Sequence, residues 1–102
     1  NQFAIAVCPC DIESPTVLAA QTANELLDIS GINASFVLTV YQEKIYMSAR
    51  SIDEVNVQII AEKLGGGGHI NSAGAQFDHT NMEEAISTLK ETIDDMIEKA
   101  DI

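Results

Sequence analysis

A chain of 102 residues with 46% hydrophobic residues is enough for one domain and too short for two. Five basic residues against 16 acidic give a net charge of −11, which argues against a surface that tracks long nucleic acid or lies on an anionic membrane. A small anionic ligand held by a few local donors stays open, and no apolar run approaches the roughly 20 residues of a membrane span.

In chain order, Phe3 to Cys8 is a continuous apolar run and reads as a buried strand. Cys8 and Cys10 flank Pro9, a spacing too strained for a disulfide and unlike that of zinc ligands. Free thiols in a reducing cytoplasm are therefore expected, with no metal site. Ser14-Pro15 is a helix start, Ser as N-cap and Pro at the first helical position. Ala19, Ala20, Ala23, Leu26 and Leu27 give that helix an apolar face, and Gly31 is the expected stop.

Ala34 to Tyr41 reads as a strand, Gln42-Glu43-Lys44 as a hairpin turn, and Ile45 to Arg50 as the return strand. Alternation puts Ile45, Met47 and Ala49 on the core face of that strand. Tyr46, Ser48 and Arg50, the chain's only arginine, share the other face. Arginine suits bidentate recognition of phosphate. With 16 acids in the chain, a surface ion pair accounts for Arg50 equally well.

Val57, Ile60, Ala61 and Leu64 fall at helical spacing, so 57–64 is an amphipathic helix capped by Asn56 or Asp53 and ended by Gly65. Ala73 to Phe77 reads as a further strand. Met82, Ile86, Leu89, Ile93, Ile97 and Ala100 mark a long last helix. Residues 82–102 hold seven acids and two lysines, which read as a solvated helix face. The expected order is β-α-β-β-α-glycine loop-β-α: an α/β fold of the α+β sandwich kind, its mixed sheet flanked by helices, forming a single domain over 1–102. The chain begins at Asn1-Gln2-Phe3 with no initiator methionine, charged leader or cleavage site, and is expected to be excised from a longer protein.

Between the second helix and the strand at Ala73 stand Gly65, Gly66, Gly67, Gly68 and His69. Four consecutive glycines cost about 0.5–1 kcal/mol each relative to Ala when fixed in structure, so something must require them. One requirement is an anion cradle, in which bare backbone N–H groups converge on a phosphate and His69 adds a ring donor. The alternative is a flexible linker, but linkers mix in Ser and other polar residues. The run is neither a Walker loop nor a dinucleotide fingerprint.

The combination of Ser48-Ala49-Arg50-Ser51, Asn56-Val57, Gly65 to His69 and Ser72-Ala73-Gly74 resembles the DHH-associated domain, the C-terminal lobe of DHH-family phosphoesterases. The resemblance covers essentially the whole chain in element order and motif. Within the family, the segment from Arg50 to Gln58, continuing through Glu62-Lys63-Leu64, looks most like cyclic di-AMP phosphodiesterases of the GdpP type. These are membrane-anchored proteins whose catalytic part is cytoplasmic.

The resemblance implies a division of labour. An N-terminal DHH lobe holds two manganese ions that activate water, and the C-terminal lobe grips the far phosphate and base of the substrate. It maps substrate binding onto Ser48, Arg50, Ser51, Gly65, Gly66, Gly67, Gly68, His69 and Ser72. No catalytic residue, metal ligand or cofactor falls on this chain, because the Asp-His-His motif is absent from it. The implied partners are a cyclic dinucleotide or short oligonucleotide and the chain's own DHH lobe, with no long nucleic acid and no direct membrane contact. The implied reaction is hydrolysis of cyclic di-AMP to pApA by the parent enzyme. Rival readings are the binding lobe of an oligoribonuclease or exonuclease, an alanyl-tRNA synthetase C-terminal module, and a regulatory or dimerisation module. The charge disfavours the first two.

Overall fold

The computed structural model describes residues 2–8 and 15–99. Its elements are β1 (Gln2–Val7), α1 (Pro15–Leu26), β2 (Ile32–Tyr41), β3 (Lys44–Ser51), α2 (Val57–Lys63), β4 (Gly67–His69), β5 (Ser72–Phe77) and α3 (Met82–Glu98). The strands form one mixed sheet in the order β1-β2-β3-β5-β4. β1 runs parallel to β2, and the other neighbours are antiparallel. The α+β fold is the one expected. The glycine run, read as a loop, contributes a three-residue edge strand.

The period-two pattern of β3 decides the layering. Ile45, Met47 and Ala49 are buried on one face, opposite Val40, Leu38 and Phe36 of β2. Ala73 and Ala75 of β5 continue that face. α2 covers it through Val57, Ile60 and Ala61, and α3 through Ala85, Leu89, Ile93 and Met96. Phe36, Leu38, Ile60, Leu89 and Met96 are fully enclosed there. Burying each such side chain contributes about 1.5–3 kcal/mol.

The reverse face is covered only in part. α1 lies over β2 and β3 and lays Ala19 and Ala23 against Val37 and Cys8. Ser35 Oγ donates to Ala23 O at 2.6 Å and fastens the end of α1 to β2. No described element packs on that side of β5 and β4. α1 has too few large apolar residues to cover more, and the sheet beyond β3 is left open there.

Caps and turns follow local chemistry. Asn56 caps α2 by accepting from the Ile59 N–H at 3.3 Å, and Asn81 caps α3 by accepting from the Glu84 N–H at 2.8 Å. The acidic first turn of α3, Glu83 and Glu84, complements the helix dipole. Three expectations shift. α1 ends at Leu26, and Gly31, with φ of 90°, leads the chain into β2 instead of stopping the helix. Lys44 begins β3, leaving Gln42 and Glu43 as the turn. On α3 Met96 is buried and Ile97 is 52% exposed, because three residues from Ile93 keep the core-facing stripe better than four. Cys8 is a buried free thiol. Cys10, Ser14 and Ala100 lie outside the described residues.

Candidate functional site

Residues directly opposite on neighbouring strands share a face of the sheet. The registers set His69 of β4 opposite Ser72 of β5, and Ser72 opposite Arg50 of β3. His69, Ser72 and Arg50 therefore form one transverse row on the open face. Ser35, the next residue in line, is already beneath α1. A second row, Gly67, Gly74 and Ser48, runs beside the first. Neighbouring strands lie about 4.7–4.9 Å apart, so each row spans about 10 Å, within reach of a long guanidinium and an imidazole from either end.

The Arg50 side chain is half-buried, and its Nη1 donates to Ala49 O at 2.8 Å. That bond uses one of five guanidinium N–H donors. Among the described residues no carboxylate lies within 4.0 Å of Arg50; the ion pair found is Lys99–Asp95 on α3. The surface ion pair that competed with phosphate as a reason for Arg50 is thus not formed among them. His69 and Ser72 are exposed beside it.

The glycines divide by cause. Gly65 takes φ of +88° just after α2. Its N–H donates to Glu62 O at 3.1 Å, and the Gly66 N–H to Ala61 O at 2.7 Å, the paired bonds of a Schellman C-cap. Both amides are committed to the helix end, so a cradle made of all four glycines does not form. A Cβ on Gly66 would collide with Gly74 O and with Ala75. One on Gly68, whose φ is +144°, would collide with Ala73. These three glycines have internal reasons to be glycine.

Gly67 has none. Its φ is not in the positive range, and a Cβ there would meet nothing within 4 Å. It stands in the second row, next to His69 along the open face.

Ser51 belongs elsewhere. One residue past Arg50, it points to the covered face and is 6% exposed. Its Oγ donates to Val55 O at 2.6 Å and accepts from Asn71 Nδ2 at 2.9 Å. The row thus collects Ser48, Arg50, Gly67, His69 and Ser72 of the expected residues, and leaves out Ser51, Gly65, Gly66 and Gly68. Gly74 joins the second row without having been among the expected binding residues. Its register opposite Ser48 follows from pairing that sequence alone does not give. A Cβ on Gly74 would sit 3.0 Å from Met47 O, so close packing also favours glycine there.

Among the described residues no group of three His, Cys, Asp or Glu side chains could hold a metal ion. An open depression lined by Gln42, Glu43, Lys44, Asp78 and His79 lies at the other end of the sheet, and its two carboxylates suit an anion poorly. No described helix is long and apolar enough to cross a membrane.

A mixed sheet with a half-open face thus carries a row of Arg50, Ser72 and His69 beside Gly67 and Gly74. The chain belongs to the DHHA1 domain family, whose family model matches residues 2–98. It is 46% identical over 93 residues to the cyclic-di-AMP phosphodiesterase PdeA of Listeria monocytogenes, covering 90% of this chain and 14% of that protein. It is 43% identical over 101 residues to the cyclic-di-AMP phosphodiesterase GdpP of Bacillus subtilis, covering 96% of this chain and 15% of that protein. Among solved structures, an exopolyphosphatase-related protein from Bacteroides fragilis superposes with a TM-score of 0.68 at 29% identity, over 72% of this chain and 22% of that one. The chain therefore spans about one-seventh of the length of the two curated relatives.

Proposed function

We propose that this chain is the nucleotide-binding lobe of a cyclic di-AMP phosphodiesterase, and that the His69–Ser72–Arg50 row receives a substrate phosphate. The observation that carries the reading is Gly67: a glycine with no internal need for one, standing bare beside the row. A ligand lying over β4 gives a reason for the missing side chain that packing does not. Arg50 offers the unused edge of its guanidinium, His69 a ring N–H and Ser72 a hydroxyl, donors suited to phosphate oxygens. Arg50 adds local positive charge to a chain of net charge −11, which fits one small anion better than a long strand.

The chain's part in the reaction is to bind and orient. The chemical step belongs to the remainder of the parent protein: a DHH lobe carrying manganese, on a protein anchored in the bacterial membrane with this lobe in the cytoplasm. No step is assigned to a metal on this chain. The product would be the linear dinucleotide pApA.

Gly67→Val tests the reading in the intact protein. Valine suits a strand, and the space for its Cβ is free. The melting temperature should move by no more than a few degrees, while KM for cyclic di-AMP rises about tenfold or more by loss of a charge-assisted contact. Wild-type KM in a folded Gly67→Val protein would remove the phosphate from this row.

A further inference from the structure

A two-residue hairpin turn matches the twist of its strands when its central residues take primed conformations, which need positive φ. Ile70 and Asn71 join β4 to β5, and neither has positive φ. This turn is held from outside. The Val57 N–H donates to Ile70 O at 2.9 Å, and the Ser51 N–H to Asn71 O at 3.1 Å. The Asn71 side chain completes the hold. Its Nδ2 donates to Ser51 Oγ at 2.9 Å and to Asp53 O at 3.1 Å. Ser51 in turn donates to Val55 O at 2.6 Å, so one hydroxyl joins the Asn71 amide to the segment that leads into α2.

The placement of this clasp matters. Ser51 directly follows Arg50, and Asn71 lies between His69 and Ser72 in sequence. Arg50 and Ser72 are paired on the neighbouring strands β3 and β5, and the Ser51–Asn71 bond joins the residues adjacent to them in sequence. We infer that Asn71, acting through Ser51, is a positioning residue that fixes the spacing of His69, Ser72 and Arg50 for a phosphate. This rests on the reading of the row as the phosphate site. Asn71 touches no part of the row with its side chain. It acts by tying the turn that carries two of the three donors to the strand end that carries the third.

The test is a pair of double-mutant cycles in the intact protein, with cyclic di-AMP as the probe and KM, kcat and melting temperature read on every variant. Asn71→Ala is combined with His69→Ala and, separately, with Arg50→Ala. Asn71→Ala should raise KM about tenfold, the loss of one well-placed hydrogen bond to the ligand, with kcat within about threefold of wild type. In each double variant the added cost of Asn71→Ala should fall to about threefold or less, since there is one donor fewer to place. Ser51→Thr, which keeps the hydroxyl, should restore most of the affinity that Ser51→Ala loses. Should Asn71→Ala fail to fold, Ser51→Ala runs the same cycles. If His69→Ala and Arg50→Ala leave KM at the wild-type value, the phosphate reading fails and this inference with it. If both raise KM while Asn71→Ala is silent, or additive in both cycles, only the positioning role is lost.

Discussion

Among the described residues, two hairpins have two-residue turns, and they are built on opposite principles. At the far end of the sheet, Gln42 and Glu43 join β2 to β3 with φ of 51° and 67°, the mark of a type I′ turn. That turn adopts the geometry its strands need, although neither residue is Asn or Gly. Holding two ordinary side chains in the left-handed region costs about 1–2 kcal/mol per residue, offset by eight paired positions of long, well-packed strand. At the site end, Ile70 and Asn71 join β4 to β5 without positive φ, across only three paired positions. Nothing local specifies that hairpin. Ser51, Asp53 and Val57 do so by hydrogen bonds to the turn from neighbouring segments. A self-sufficient hairpin builds the scaffold, and a dependent one carries His69 and Ser72. The proposed site thus sits where the fold is least determined by local sequence and most by cross-connections.

The comparison breaks most sharply at Gly68. Valine there must adopt φ of +144° or shift β4, and its Cβ meets the backbone of Ala73. Backbone strain and overpacking together should lower stability by about 2–5 kcal/mol. Gly67→Val, one residue away, should cost far less stability while weakening binding more. Denaturant unfolding of the two intact variants separates them. A Gly68→Val protein within about 1 kcal/mol of wild type would show that β4 is free to move, contrary to the dependence argued above.

Arg50→Lys comes next in size and probes the β3 side of the row. Lysine keeps the charge but lacks the planar fork that gives two parallel bonds. Affinity for cyclic di-AMP should fall about tenfold, consistent with roughly 1.5–3 kcal/mol for a charge-assisted hydrogen bond. Stability should change by less than about 1 kcal/mol, since Arg50 is only half-buried and has no ion-pair partner among the described residues. Equal affinity in Arg50→Lys and wild type would return Arg50 to general surface charge.

The same contrast explains what could be read in the sequence. Long periodic segments were legible. The alternation of Ile45 to Arg50 gave both faces of β3, and the stripe from Met82 to Ile93 gave α3, because burial imposes period two on a half-covered strand and 3.6 on a helix. The open-face residues Ser48 and Arg50 followed from that alternation. The same parity puts Ser51 with Ile45, Met47 and Ala49 on the covered face; only the family resemblance sets it among the expected binding residues. β4 was not legible. Gly-Gly-His has no strand preference, and its pairing is imposed by β5 and by the C-cap of α2. The sorting of the glycines needed three dimensions, since only the backbone path shows that Gly66 and Gly68 crowd β5 while Gly67 faces open space. Asn71 left no signal at all: a single Asn in a turn is ordinary, and its side-chain contacts with Ser51, Asp53 and Val55 exist only after folding.

The smallest expected effect lies at the self-sufficient hairpin and sharpens the contrast from the other side. Replacing Gln42 with Asn and Glu43 with Gly installs the pair that type I′ turns prefer. Asn tolerates the left-handed region better than Gln, and Gly enters it without steric cost. Against that relief stands the backbone entropy that Gly loses on folding, about 0.5–1 kcal/mol. The net gain should be about 0.5–1 kcal/mol, seen as a higher denaturation midpoint at unchanged m-value. Binding should not respond. Lys44 and Arg50 stand at opposite ends of β3, about 20 Å apart at roughly 3.3 Å per residue, and the strand between them is clamped on both sides by β2 and β5. KM for cyclic di-AMP in the doubly substituted intact protein should therefore equal the wild-type value. A shift of more than about threefold would mean that the far turn sets the register of Arg50 after all, and that the two hairpins are coupled through β3.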